Sequence, residues 1–122
     1  MVKGLGNDII EVSRIRQSLE RHGQRFLDKV LTAKEQEYCL KYKDSAPHLA
    51  GRFSAKEAIA KALGTGFGRS LSFLDIEILN DKLGSPQVAL SSRAQKRFGE
   101  PRLLLSISHC HAYASAVALW LA

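Results

Sequence analysis

The carboxylate–ammonium pair Glu57 and Lys61 has the residue types to handle a phosphoryl group, and Asp8 is a second carboxylate placed where it needs a partner. Glu57 and Lys61 lie one helical turn apart, so both groups project to the same side. Such a pair can hold a divalent cation and a phosphate together. Spacing alone also allows plainer readings. Glu before Lys is the favourable order for a surface ion pair, and Ser54 followed by Glu57 fits a capping box. Asp8, after Gly6-Asn7, could be a turn aspartate bonded to its own backbone.

These groups need a frame. Gly51 to Leu63 reads as an alanine-rich helix carrying Arg52, Lys56, Glu57 and Lys61, stopped at Gly64. Ala55, Ala58, Ile59, Ala62 and Leu63 form its inward stripe. Gly64, Gly66 and Gly68 then make a loop that phosphate groups could approach closely. Val2 to Val12 alternates as a strand, with Val2, Gly4, Gly6, Asp8, Ile10 and Val12 on one face. A carboxylate among those apolar neighbours calls for a partner, and a metal ion is one.

From Ser13 to about Leu31 the period is helical, with Ser13 as cap and Gly23 as a candidate interruption. Ile15, Leu19, His22 and Phe26 make the apolar stripe, with His22 expected to pack. Arg14, Ser18, Arg21 and Arg25 make an offset row, suited to an acidic helix or a phosphate backbone. Thr32 with Glu35 caps a further helix to about Tyr42, which would bury Cys39. Lys43 to Pro47 reads as a polar loop. Leu71 to Leu79 reads as a strand with Leu74, Ile76 and Ile78 on one face, returning through a turn at 80–84 to Gln87–Leu90. Ser91 or Ser92 caps a short helix ending near Phe98-Gly99. Leu103 to His111 and Tyr113 to Leu121 read as two central apolar strands. His109 and His111 would share a face if the strand continued, but no spaced Cys/His set supplies the remaining ligands of a zinc site. A histidine bonding a ligand or the backbone is the expected role.

At 122 residues the chain suits one domain, 1–122, with a real core. No stretch approaches the roughly 20 apolar residues of a membrane span, so no membrane association is expected. The N-terminal run has no signal-peptide pattern and the two cysteines form no CxxC, which suggests a reducing, cytoplasmic setting. The net charge of +6 points to an anionic partner. A basic module gripping nucleic acid is the competing class. It finds no interleaved aromatic set, helix-turn-helix or zinc-finger pattern here, so no nucleic-acid partner is expected.

Together these stretches resemble the holo-[acyl-carrier-protein] synthases, the small bacterial branch of the 4′-phosphopantetheinyl transferases. The resemblance runs over nearly the whole length. It is carried by Gly4 to Ile15, by Leu31-Thr32 with Glu35, and most strongly by Ala50 to Ala58 continued through Lys61 to Gly66. Leu71-Ser72-Phe73 with Asp75 to Ile78, and Ser106 to His109 with Tyr113-Ala114, complete it. Ser85 and Cys110 stand where the family often has lysine and threonine. The resemblance implies an α+β fold, a small antiparallel sheet packed on a long helix, assembled as a homotrimer with active sites between subunits. It implies transfer of the 4′-phosphopantetheine arm from coenzyme A to a serine of apo acyl carrier protein, releasing adenosine 3′,5′-bisphosphate. Carried onto this chain, Asp8 and Glu57 would ligate Mg²⁺, and Glu57 and Lys61 would be catalytic. Arg52, Lys61, Gly64, Gly66, Ser108 and His109 would hold coenzyme A. Arg14, Arg21 and Arg25 would meet the acidic carrier protein.

Overall fold

Helix α4 (Ala46–Ala62) is buried on nearly every side, and its small residues are why it can be. Ala46, Ala50, Ala55, Ala58, Ala60 and Ala62 let neighbouring backbones come close all around it. The computed structural model describes residues 1–122. Against α4 lies an antiparallel sheet of β1 (Val2–Glu11), β5 (Tyr113–Leu121) and β4 (Arg102–His109), in the order β1-β5-β4.

The contact between β1 and α4 is tight because two glycines permit it. A Cβ on Gly4 would sit 2.0 Å from the Ala62 carbonyl oxygen, and one on Gly6 only 1.7 Å from that of Ala58. Two further residues along, Ser54 Oγ donates to the Asp8 carbonyl at 3.1 Å. Two strand residues advance about 6.6 Å and four helix residues about 6 Å, so strand and helix stay in step over three contacts. Asp8 is thereby delivered to α4. Ser54 is used inside the helix, and the capping-box reading fails because α4 starts at Ala46, earlier than expected. Pro47 sits in its first turn, where a missing N–H costs nothing.

Helices α1 (Val12–His22), α2 (Gln24–Val30) and α3 (Ala33–Leu40) cover the first half of α4 through Val12, Ile15, Leu27, Val30, Cys39 and Leu49. Helix α1 starts at Val12 directly off the strand, without a Ser13 cap, and Gly23 at φ 51° divides α1 from α2. The break leaves His22 exposed rather than packed. The Thr32–Glu35 capping box forms as expected. Cys39 is buried, and burial first of all pushes its thiol up to about 11, so it packs as an inert residue.

The second half of α4 is covered by a separate hairpin, β2 (Ile76–Asn80) and β3 (Pro86–Leu90), together with α5 (Ser92–Phe98), capped by Ser91. Residues 73–75 form a 3₁₀ turn rather than the start of a strand. Asp75 accepts from Ser72 N at 2.8 Å and is also gripped by Ser91 and Arg93. Leu74 consequently faces solvent, while Ile76 and Ile78 are buried. Of the two apolar C-terminal strands only β5 is central; β4 is an edge. Strand β4 ends at His109, so His111 falls in the turn and the paired-histidine face does not exist. No helix is long and apolar enough to cross a membrane.

One buried ion pair ties these parts together. Lys56 and Glu35 are both 0% exposed and 2.6 Å apart. The Lys56 ammonium also donates to the carbonyls of Val30 at 2.7 Å and Phe73 at 3.1 Å, using all three protons. Glu35 accepts from Thr32 N and, at 2.8 Å, from Ile78 N. Burial lowers the Lys56 pKa, and Glu35 opposes that shift.

Candidate active site

On the β1 side of α4, Asp8 joins Glu57 and Lys61, whose spacing alone had put only those two on one side. The ion pair that forms is a different one from the expected Glu57–Lys61 pair. Lys61 Nζ donates to the Asn7 carbonyl at 2.9 Å and to Asp8 Oδ1 at 3.1 Å. Glu57 is half-buried, and no donor of the chain bonds its carboxylate. Burial first, then the charge on Asp8, raises the Glu57 pKa, and Lys61 offsets only part of this. Asp8 keeps 16% of its side chain exposed. The plain readings of both carboxylates therefore give way to a pair whose charge the chain leaves under-compensated.

That pair suits Mg²⁺. Its donors are hard oxygens, and no third His, Cys, Asp or Glu joins them. A small cation that keeps most of its waters, or takes substrate phosphate oxygens instead, needs only one or two carboxylates from the protein. Beside it the loop after α4 holds Gly64 at φ 80° and Gly66 at φ 63°, with nothing within 4 Å of where either Cβ would stand. Phe67 anchors this loop by stacking on Phe73, ring centroids 3.9 Å apart.

Arg52 points elsewhere. It is nine residues before Lys61, about two and a half helical turns, and so projects from the opposite side of α4. There it lines a cavity of about 240 Å³ with Tyr38, His48, Asn80, Ile107 and His109. Arg52 is 5% exposed, its guanidinium lies 4.7 Å from the Tyr38 ring centre, and Nη2 donates to Asn80 Oδ1. Its Nε is buried without a partner. His48 stacks on Tyr42 at 3.7 Å and meets His109 edge-on at 5.4 Å. Burial, then His109 and Arg52, lowers the His48 pKa.

Sequence reasoning missed His48, Tyr38 and Asn80. His48 could have been found, since it precedes Arg52 by one turn of the same helix. Asn80 reads only as a turn residue, because its partner lies on another element. Strand alternation puts Ser108 on the outer face of β4, away from the cavity that His109 lines. Arg14 and Arg21 are exposed on α1 and Arg25 on α2, beyond the Gly23 break, so the row is split between two helices. None of the three pairs with a carboxylate of the chain, whereas Arg16 bonds Asp44 at both oxygens.

A profile of the 4′-phosphopantetheinyl transferase superfamily matches residues 4–118. The chain belongs to that superfamily. A holo-[acyl-carrier-protein] synthase of Protochlamydia amoebophila is 57% identical to it over 98% of both chains. Among solved structures, the holo-[acyl-carrier-protein] synthase of Neisseria meningitidis superposes with a TM-score of 0.93 at 34% identity, covering 100% of both chains. That of Helicobacter pylori, in complex with coenzyme A, superposes with a TM-score of 0.88 at 36% identity, covering 96% of this chain and 99% of that one. Within the superfamily the likeness is thus to the holo-[acyl-carrier-protein] synthases, and the chain is a transferase of that α+β fold.

Proposed function

We propose that this chain moves the 4′-phosphopantetheine arm of coenzyme A onto a serine of apo acyl carrier protein, with Mg²⁺ bound, releasing adenosine 3′,5′-bisphosphate. The observation that carries the reading is the Asp8–Glu57 pair, seated beside Lys61 by the glycine-mediated contact of β1 with α4. Asp8 and Glu57 would hold Mg²⁺, which when bound neutralises charge on the pyrophosphate.

The serine oxygen attacks the phosphorus nearest the pantetheine. A new P–O bond forms as the bond to the bridging oxygen breaks, and the nucleotide leaves with that oxygen. Glu57 takes the serine proton, directly or through a water. Lys61, already turned toward the site, steadies the charge growing on the leaving group. Gly64 and Gly66 let the loop approach the phosphates, and Arg52 and His109 hold the nucleotide end of coenzyme A. Arg14, Arg21 and Arg25, left without carboxylates of their own, meet an acidic carrier protein.

Two features favour a homotrimer with the site shared between subunits. Arg52 and Lys61 leave α4 on opposite sides, so coenzyme A spanning both kinds of contact would draw them from two copies. The outer face of the sheet also leaves Leu5, Ile9, Leu104, Tyr113 and Val117 exposed, an apolar surface that a neighbouring copy would cover. Ser108 belongs to that face and would reach coenzyme A across it.

The decisive test is the intact mass of apo acyl carrier protein after incubation with this protein, coenzyme A and Mg²⁺. A gain of one phosphopantetheine arm, lost with EDTA, is expected. No gain with several carrier proteins would end the reading. Light scattering on the same sample should give three times the mass of one chain.

A further inference from the structure

Three arginines of this chain hydrogen-bond to other side chains, and they are held in two different ways. Arg16 is fixed by Asp44 and Arg93 by Asp75, so each positive charge is cancelled by a carboxylate. Arg52 is fixed by neutral groups: the amide oxygen of Asn80 and the face of the Tyr38 ring. The amide of Asn80 is itself oriented, since Nδ2 donates to the Gly84 carbonyl at 2.8 Å and leaves Oδ1 to face the guanidinium. Arg52 is thus immobilised and nearly buried without a carboxylate partner, with Nε unpartnered, in a cavity also lined by His48 and His109. A buried cation with an unmet donor is costly unless an anion arrives.

We infer that Asn80, with Tyr38, is a positioning residue that clamps the Arg52 guanidinium through uncharged contacts, so that its charge stays available to an anionic group of the coenzyme A substrate. The inference rests on the proposed transferase reading and adds a determinant of substrate affinity to it. The reason for an amide at position 80 is electrostatic. An aspartate there would still bond Arg52, without the Gly84 hydrogen bond, and would cancel its charge.

Asn80→Asp is therefore the discriminating variant. Steady-state transfer to apo acyl carrier protein should show the coenzyme A KM raised at least about tenfold, the scale of a charge-assisted hydrogen bond. The carrier-protein KM and kcat should stay within about twofold, and the melting temperature should change little, because the new ion pair with Arg52 offsets the hydrogen bond lost from Nδ2 to the Gly84 carbonyl. Tyr38→Leu, which removes the ring beneath the guanidinium, should also raise the coenzyme A KM. Calorimetric titration of coenzyme A alone should reproduce these shifts without turnover. Equal coenzyme A affinity for Asn80→Asp and the unaltered protein, with transfer intact, overturns the clamp and leaves the transferase reading standing. A fall in melting temperature that tracks the change in KM across the variants also overturns it, since Asn80 would then be structural only. If the unaltered protein neither binds coenzyme A nor transfers, the transferase reading itself falls and the clamp falls with it.

Discussion

Lys56 and Glu57 are consecutive residues of α4, and the fold treats them in opposite ways. Lys56 is sealed: every proton of its ammonium has an acceptor, and Glu35 opposite it is bonded at both oxygens. Glu57 is half-buried, has no donor from the chain, faces the charge of Asp8 and carries a raised pKa. A charged group whose bonds all close within the chain serves the architecture. One left half-buried and open can serve the metal site proposed above.

The difference can be broken from the Glu57 side with the largest effect. Glu57→Gln should lower phosphopantetheine transfer by roughly a thousandfold, the scale of losing one preorganised electrostatic contact at a reacting centre. Thermal unfolding of the same variant should show no loss of stability. The next effect is the converse one at position 56. Lys56→Met leaves the Glu35 carboxylate buried and unpaired and should cost about 3–5 kcal/mol, much of a stability of about 5–15 kcal/mol. Chemical denaturation would measure it, and adding Glu35→Gln should recover part of the loss. Full stability of Lys56→Met would remove the architectural half of the contrast.

A smaller effect lies in pH. The folded-state pKa of Glu57 is raised, so its ionised form is less favourable in the folded chain than in the unfolded one. This penalty is absent below the unfolded glutamate pKa and is fully present above the folded one. Melting temperatures of the unaltered protein should therefore drop relative to Glu57→Gln as pH rises through that interval. Mg²⁺ should reverse the drop at neutral pH in the unaltered protein but not in Glu57→Gln. The smallest effect is expected at the surface, where Arg14→Glu should weaken carrier-protein binding by about tenfold through lost charge complementarity. Coenzyme A binding should stay nearly intact, and equal loss of both in titrations would refute a separate carrier-protein surface.

The sequence by itself determined what short-range rules control. The Thr32–Glu35 capping box, the end of the central helix, the hairpin reversal (at 81–85, one residue later than expected) and the inward face of the first strand all follow from neighbours a few residues apart. Helix spacing likewise put Glu57 and Lys61 on one side, whereas Asp8 reached them only through the contact of β1 with α4. Only the tertiary structure decided which charges were paired. Glu35 lies 21 residues from Lys56, Asn80 lies 28 from Arg52, and Lys61 turned from Glu57 to Asp8. Spacing along a helix says which groups could meet. Whether a nearer partner is out-competed depends on burial and on backbones brought together across the fold, and no local pattern records that.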